Sequence, residues 1–244
     1  MSPSHTPGPA RELSPGLVLR DVDPPLRLGD FKLIAFDMDS TLINIECIDE
    51  MAAAAGRKAE VAAITEAAMR GKISDFKDSL RRRLALLAGV PEQALEQVWR
   101  ERLRLNPGAA ELVQACRRAG LKVLLVSGGF TFFAERVRRQ LGLDFARSNQ
   151  LEIQHGQLTG RVVPQSWGDI VDGAMKRQTV LDCCSLLGCE PAQAIAVGDG
   201  ANDLAMMGAV GLSVAYHAKP KVRAQAMVSI ESGGLDRLLE VVHA

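Results

Sequence analysis

The chain has 244 residues, 47% hydrophobic and 24% charged, a composition typical of a globular protein with one sizeable core. Its 29 basic and 29 acidic side chains cancel, which excludes a net electrostatic attraction to nucleic acids or to anionic membranes. It contains no apolar window of about 18 residues, its first residues include prolines and charges where a signal peptide needs an uninterrupted apolar segment, and its five cysteines lack metal or redox spacing, so we expect a reduced cytoplasmic protein.

Short apolar runs separated by helical stretches indicate the fold class. Residues 1–30 are rich in proline, glycine and serine at first and lack sustained periodicity, which predicts a partly flexible N-terminal extension. Buried strands are predicted at "FKLIAF", "LKVLLV", "AIAVG" and, more weakly, "VGLSVAY", with helices at 131–141 and 174–187 between the last three. This alternation predicts a doubly wound parallel α/β sheet that binds ligands at the carboxyl ends of its strands.

Two segments interrupt the alternation of strands and helices. Residues 46–105 contain only helical patterns and are predicted to form an inserted helical cap. Residues 147–165 alternate in polarity about a His-Gly turn, which predicts a small β-hairpin flap. We therefore expect a catalytic core made of residues 31–45 and 106–244, with the cap and the flap covering the crevice.

Acidic side chains follow two of the predicted strands. Asp37 and Asp39 come after the first strand, and the "GDGAND" segment supplies Asp199 and Asp203. The first pair lacks the glycine and the glutamate of a calcium-binding loop, but turn and helix-capping roles stay open for both segments. Carboxylates that converge on one crevice would repel one another unless a hard cation neutralised them, which favours Mg²⁺.

Two further motifs fit a phosphate ligand. Ser127, Gly128 and Gly129 offer a hydroxyl and backbone N–H groups after a strand, although an ordinary strand-to-helix turn would have the same sequence. Lys176 lies on the apolar stripe of its helix, where it either extends its ammonium group to solvent or meets a buried anion.

The predicted cap also places charge on an apolar face. Arg83 shares a helical stripe with Phe76 and Leu80, so it should face whatever the cap covers, and its planar guanidinium suits a carboxylate. Glu46 is ambiguous, because an acid in the first turn of a helix also complements the helix dipole. Met69 is more typical of a core residue than of a ligand contact.

These motifs occur in the order of the four motifs of the haloacid dehalogenase superfamily. They are "DMDST", "SGG", the lysine at 176 and "GDGAND". Within that superfamily, "DMDSTLINIECIDEMA", "AAMRG" and "FKDSLRRRLALL" resemble the phosphoserine phosphatase family, and the similarity extends from about residue 31 nearly to the C-terminus. The resemblance implies a Rossmann-like core with a helical cap.

The resemblance also implies a role for each motif residue. Asp37 would be the nucleophile that becomes phosphorylated, and Asp39 the acid that protonates the leaving oxygen and then the base that activates water. Asp37, Asp199 and the backbone carbonyl of Asp39 would hold Mg²⁺, with Asp203 supporting them. The implied substrate contacts are Ser127, Gly128, Lys176 and Asn202 at the phosphoryl group, Glu46 at the ammonium, Arg83 at the carboxylate, and Met69 and Phe76 as an apolar lid.

The leading hypothesis is a Mg²⁺-dependent hydrolase that converts O-phosphoserine to serine and inorganic phosphate through a phosphoaspartyl intermediate, as in the last step of serine biosynthesis. We expect a monomer or homodimer whose partner is a small phosphomonoester, without nucleic-acid or membrane partners. Two alternatives stay open. One is another small-metabolite phosphatase or phosphotransferase of the same superfamily, and the other is a receiver-like phosphoaspartate signalling domain, which would lack the helical insertion.

Overall fold

The computed structural model of the chain describes residues 8–69, 75–168 and 170–243. The strands are β1 (Arg11–Ser14), β2 (Leu17–Leu19), β3 (Leu26–Arg27), β4 (Leu33–Phe36), β5 (Lys122–Phe130), β6 (Phe145–Gln154), β7 (Gln157–Val163), β8 (Ala194–Gly198), β9 (Leu212–Tyr216), β10 (Val228–Ile230) and β11 (Val242–His243). The α-helices are α1 (Cys47–Ala54), α2 (Lys58–Met69), α3 (Phe76–Ala85), α4 (Gln93–Gln97), α5 (Ala109–Arg118), α6 (Thr131–Leu141), α7 (Gly173–Leu187), α8 (Leu204–Met207) and α9 (Pro220–Arg223). None of the described helices combines the length and the apolar character needed to cross a membrane.

A nine-stranded sheet organises the molecule, in the order β1-β2-β10-β9-β8-β4-β5-β6-β7. The pairs from β10 to β6 are all parallel, and β4 lies between β8 and β5 with Ile34 opposite both Ile195 and Val123. The prediction of a doubly wound, mainly parallel α/β sheet is therefore confirmed. Because β4 is central, whatever follows it lies at the middle of the sheet's carboxyl edge.

Both faces of the sheet are covered, which explains why its strands read as continuous apolar runs. Alternate residues of β4 belong to separate hydrophobic clusters, with Ile34 and Phe36 in one and Leu33 and Ala35 in the other. All four side chains are fully buried. Burial of a large apolar side chain such as Phe36 contributes roughly 1.5–3 kcal/mol, so the central strand is firmly anchored.

The N-terminal segment contains regular structure within its described residues. β1 and β2 form a hairpin, and β2 pairs antiparallel with β10 at the edge of the sheet, while the partly flexible extension over residues 1–30 stays a prediction. Leu17 and Leu19 are buried on the alternating positions of β2, and Nη1 of Arg237 donates a 2.6 Å hydrogen bond to the carbonyl of Pro15. Pairing with a strand more than two hundred residues later has no local sequence signal, since the three-residue β2 is too short to show periodicity.

Helices α1 to α4 and a short π-helical turn at Val98–Arg102 occupy the segment between β4 and α5. Beside them, β6 and β7 form an antiparallel hairpin that extends the main sheet. The two parts are tied by the N–H of Gly89, which donates to the carbonyl of Leu158, and by the N–H of Leu158, which donates to the carbonyl of Val90, both at 2.8 Å. The division into core and cap at residues 46 and 105 stays a prediction.

Candidate active site

Three motifs meet at the carboxyl edge of the sheet. Asp37 directly follows β4, Ser127 lies near the end of β5, and Asp199 directly follows β8. Because these strands are parallel neighbours, their carboxyl ends lie side by side. The three motifs line one cavity of about 720 Å³.

A buried lysine joins two aspartates beneath this cavity. Lys176 on α7 is fully buried, and its Nζ donates to Oδ1 of Asp37 at 2.6 Å and to Oδ1 of Asp203 at 2.7 Å. Burial acts to lower the pKa of Lys176, but the carboxylates of Asp203 and Asp37 outweigh it and the net shift is upward. The ammonium group is therefore charged and fixes the orientation of Asp37.

Asp203 is held from two sides. Its Oδ1 accepts from Lys176, while its Oδ2 accepts from the backbone N–H of Asp199 at 3.2 Å and of Gly200 at 2.9 Å. A Cβ at Gly198 would lie 2.5 Å from Cγ of Asp203, so only glycine allows this close approach. Both oxygens of Asp203 are thus used to position its neighbours.

The carboxylates form a compact acidic group. One oxygen each from Asp37, Asp199 and Asp203 lies within 4.8 Å of the others. Burial, followed by the negative charges of Asp203 and Glu46, raises the pKa of Asp199 to about 7. Burial and then Asp203 also raise the pKa of Asp37, although Lys176 opposes this shift. The ammonium group of Lys176 contacts only Asp37 and Asp203, so the three carboxylates leave an excess of negative charge, and these oxygen donors fit a hard divalent cation such as Mg²⁺.

Asp39 lies on the same loop in a different environment. Its Oδ1 accepts a 3.4 Å hydrogen bond from the backbone N–H of Cys47, and the neighbouring Ser40 donates at 2.7 Å to Oε1 of Glu46. Burial, and then the charge of Glu46, raise the pKa of Asp39 to about 7. Asp37 therefore has a cation as its partner, whereas Asp39 faces another acid.

The glycines after Ser127 permit close packing around these carboxyl groups. Oγ of Ser127 accepts from the backbone N–H of Gly129 at 2.8 Å. A Cβ at Gly129 would lie 2.7 Å from Oδ2 of Asp39, and a Cβ at Gly128 would lie 2.9 Å from Cζ of Phe76. Any larger residue at either position would displace a side chain that lines the cavity.

The wall opposite the sheet carries the charged residues of the helical segment. Phe76, Arg83 and Glu46 all line the cavity, and Nε of Arg83 donates a 3.4 Å hydrogen bond to the carbonyl of Ser79 one turn earlier. Burial lowers the pKa of Arg83, while Asp49 and Glu46 partly oppose this shift. Arg83 is half-buried near two acids, Asp49 on α1 and Glu46 directly before it.

The structure brings together most of the residues singled out in the sequence. Those that line the cavity are Asp37, Asp39, Glu46, Phe76, Arg83, Ser127, Gly128, Asp199 and Asn202. Lys176 and Asp203 are fully buried and lie beneath it. The side chain of Met69 lies outside the described part of the structure.

Asn149, Asp49 and Lys219 are among the residues of the site that were not singled out in the sequence. Asn149 on β6 is fully buried, donates to the carbonyl of Gly128 at 2.7 Å and accepts from the N–H of Val171 at 2.8 Å. It thereby holds the glycine loop against the segment that precedes α7. Asp49 and Lys219 line the cavity itself. An asparagine within an alternating strand and a lysine after a weak one carry no local signal of such positions.

Comparison with known proteins agrees with this geometry. Residues 31–211 match the family model described as haloacid dehalogenase-like hydrolase. The chain is 70% identical over 231 residues to a phosphoserine phosphatase of Polaromonas sp., covering 95% of this chain and 98% of that protein. It is 68% identical over 229 residues to one of Albidiferax ferrireducens, covering 94% and 97%.

A solved structure supports the same relationship. The phospho-aspartyl intermediate analogue of a phosphoserine phosphatase superposes with a TM-score of 0.80 at 38% identity, covering 87% of this chain and 99% of that one. The resemblance inferred from the motifs is confirmed by these matches. The chain belongs to the haloacid dehalogenase-like hydrolases and, within them, to the phosphoserine phosphatase family.

Proposed function

We propose that this chain hydrolyses O-phosphoserine to serine and inorganic phosphate, with Asp37 as the nucleophile and Mg²⁺ as the cofactor. The observation that carries the proposal is the placement of Asp37, oriented by Lys176 at 2.6 Å and facing a cavity whose opposite wall presents Arg83. One wall of the cavity therefore carries groups for phosphoryl transfer, and the other carries a cation that would bind the carboxylate of an amino acid.

In the first step a carboxylate oxygen of Asp37 attacks phosphorus, and the bond from phosphorus to the serine oxygen breaks. Asp39 gives its proton to that oxygen, so serine leaves as a neutral alcohol. In the second step water attacks the same phosphorus, Asp39 takes a proton from the water, and the bond to Asp37 breaks to release phosphate. A covalent intermediate divides one difficult displacement into two easier ones.

The different partners of the two aspartates suit these two roles. Burial and the charge of Asp203 raise the pKa of Asp37, so its ionised form depends on the contact of Oδ1 with Lys176 and on the Mg²⁺ that would bind beside it, and Oδ2 would be left for attack. A pKa of about 7 leaves Asp39 able to hold a proton near neutrality and also to lose it. This contrast is the usual way in which two neighbouring carboxyl groups divide acid and nucleophile roles.

Asp37, Asp199 and the backbone carbonyl of Asp39 would hold the Mg²⁺, with Asp203 orienting them. When bound, such an ion neutralises charge on phosphoryl oxygens. Ser127 and the N–H of Gly128 would bind the remaining oxygens, since phosphoryl transfer depends mainly on positioning and charge neutralisation.

Lys176 has a second role in the proposed reaction. An ammonium group has three donors, and here two of them are used by Asp37 and Asp203. The third is available to a phosphoryl oxygen once phosphorus is bonded to Asp37. Lys176 would thus hold the nucleophile before the first step and the phosphoryl group after it.

The amino-acid end of the substrate would lie against the helical segment. Arg83 would bind the carboxylate and Glu46 the ammonium, and Asn202, Phe76 and Met69 would complete the enclosure around the ester. Closure over the site would keep bulk water away during the first step. The reaction would complete serine biosynthesis in the cytoplasm, and a monomer or homodimer stays the predicted assembly.

Substrate choice is tested by comparing Arg83→Ala with Arg82→Ala, because Arg82 is exposed and pairs with Asp78 on the same helix. Loss of a charge-assisted bidentate contact costs about 3 kcal/mol, so Arg83→Ala should lower kcat/KM for phosphoserine about 100-fold. Its kcat/KM for phenyl phosphate, which has no carboxylate, should change less than about 3-fold.

The control Arg82→Ala should behave like the parent chain with both esters. Equal losses with the two esters in Arg83→Ala would show that Arg83 does not bind the carboxylate. Phosphate release from a panel of phosphomonoesters, with and without Mg²⁺, tests the reaction itself, and better turnover of another ester would replace phosphoserine as the substrate.

A further inference from the structure

The cavity is lined by more negative than positive charge. Among the residues that the structure describes, six carboxyl side chains line it, namely Asp37, Asp39, Glu46, Asp49, Asp75 and Asp199, against two cationic ones, Arg83 and Lys219. A phosphate ester approaching such a site carries negative charge of its own. Beyond the Mg²⁺ that the site would hold, a cation at the entrance would reduce this repulsion, because charges closer than about 10 Å are only partly screened at ordinary salt.

Lys176 is a poor candidate for this task. It is fully buried, and its charge is already shared between Asp37 and Asp203 at 2.6 and 2.7 Å. Arg83 lies on the helical wall, beside Asp49 and Glu46, where the proposed function assigns it to the carboxylate. Neither side chain presents free positive charge near the carboxyl edge of the sheet.

Lys219 does present such charge. It lies between β9 and α9, its side chain is exposed at the cavity, and its backbone N–H donates to the carbonyl of Asp199 at 3.2 Å. Its own carbonyl accepts from the N–H groups of Val222 and Arg223 at 2.9 and 3.1 Å, which fixes the loop. Among the described residues, no carboxylate lies within ion-pair distance of its ammonium group.

We infer that Lys219 is a positioning residue of this site, which draws the phosphate group of the substrate toward Asp37 and offsets the charge of Asp199. The inference rests on the proposed function, because it takes the ligand to be a phosphate ester.

If Lys219 has this role, removing its charge should change the binding of anions and of cations in opposite directions. Removing the charge of Lys219 should weaken the binding of a phosphate group, because attraction is lost. The same change should strengthen the binding of Mg²⁺, because repulsion between two cations is lost. A merely structural role would weaken both, since distortion of the Asp199 loop harms every ligand of the site.

The test compares Lys219→Gln with Lys221→Gln, an exposed lysine on α9 that does not line the cavity. Two constants are measured: inhibition by inorganic phosphate of the Mg²⁺-loaded enzyme, and the Kd of Mg²⁺ by calorimetry on the metal-free protein. For Lys219→Gln we expect phosphate inhibition about 5-fold to 10-fold weaker and Mg²⁺ binding about 2-fold to 5-fold tighter, as for one charge in a partly screened site. Lys221→Gln should match the parent chain in both, and Lys219→Arg should restore both.

Dependence on salt provides a further measurement. In the parent chain kcat/KM should fall as ionic strength rises, and this slope should be shallower in Lys219→Gln. Unchanged constants, or phosphate and Mg²⁺ binding that weaken together, would overturn the inference. Failure of the proposed function would look different, because the parent chain would then release no phosphate from phosphoserine, while the calorimetric titration of Mg²⁺ could still be made.

Discussion

Replacing Lys176 by methionine tests the buried ion group most directly. Methionine keeps most of the apolar stem but removes the ammonium group, which leaves Asp37 and Asp203 buried without a cation. Breaking a buried ion pair from one side costs about 3–5 kcal/mol. In a chain of this size each kcal/mol corresponds to about 2–4 °C, so the Tm of the variant should fall by roughly 6–20 °C near pH 8.

The pH dependence of this loss has a definite sign. Without Lys176, the pKa of Asp37 in the folded state is raised still further by burial, so the folded variant holds protons that the unfolded chain releases. A raised folded-state pKa contributes stability below the unfolded value, near 4, and this stability is lost as pH rises through the folded-state pKa. The deficit in Tm should therefore be smaller at pH 5 than at pH 8.

The assay is thermal unfolding followed by circular dichroism in EDTA, so that metal binding does not contribute. Lys122→Met is the matched control, because Lys122 forms an exposed ion pair with Asp144 at 2.7 Å. Loss of such a pair should lower the free energy of unfolding by no more than about 1 kcal/mol. If Lys176→Met unfolds at the same temperature as the control at pH 8, or if its deficit grows toward acid, the buried charges are not balanced as described.

Three further predictions follow from the geometry. Because burial raises the pKa of Asp199 to about 7, the Kd of Mg²⁺ should increase as pH falls from 8 to 6, and calorimetry in two buffers should detect proton release; a flat Kd would contradict this. Gly129→Ala places a Cβ 2.7 Å from a carboxylate oxygen, so it should lower the free energy of unfolding by about 1–3 kcal/mol and reduce activity. In the control Gly29→Ala the new Cβ has no atom within 4 Å, so stability and activity should both stay unchanged. Leu17→Ala should lower the free energy of unfolding, measured in urea, by about 2–5 kcal/mol, whereas Leu13→Ala, at a side chain that is 38% exposed, should lower it by less than about 1 kcal/mol. Equal losses in the two variants would mean that β2 does not belong to the core.

The sheet could be predicted where local pattern determined structure. β4, β5 and β8 are each buried on both faces, so each appears in the sequence as an unbroken apolar run followed by polar residues. The pairing of β2 with β10 could not be predicted. It joins three-residue strands from opposite ends of the chain, and nothing within either strand specifies its partner.

The site likewise contains residues whose positions could be predicted from local sequence and residues whose positions could not. Asp37 and Asp199 could be placed together because each follows a strand of one parallel sheet, and their convergence is a property of the topology. Asn149 and Lys219 could not be placed, because their positions depend on how a hairpin and a late loop pack against those strands. The two hydrogen bonds of Asn149 join residues distant in sequence, and only the folded chain brings them within reach.

The central place of β4 in the sheet has a consequence for biosynthesis. A ribosome delivers β4 early, but its neighbour β8 emerges only after most of the chain has been made. During that interval we expect one edge of β4 to lack its native partner, which exposes the nascent polypeptide to aggregation. Chains released before Ala194 should therefore sediment or be retained by chaperones, whereas chains completed through β10 should stay in the supernatant.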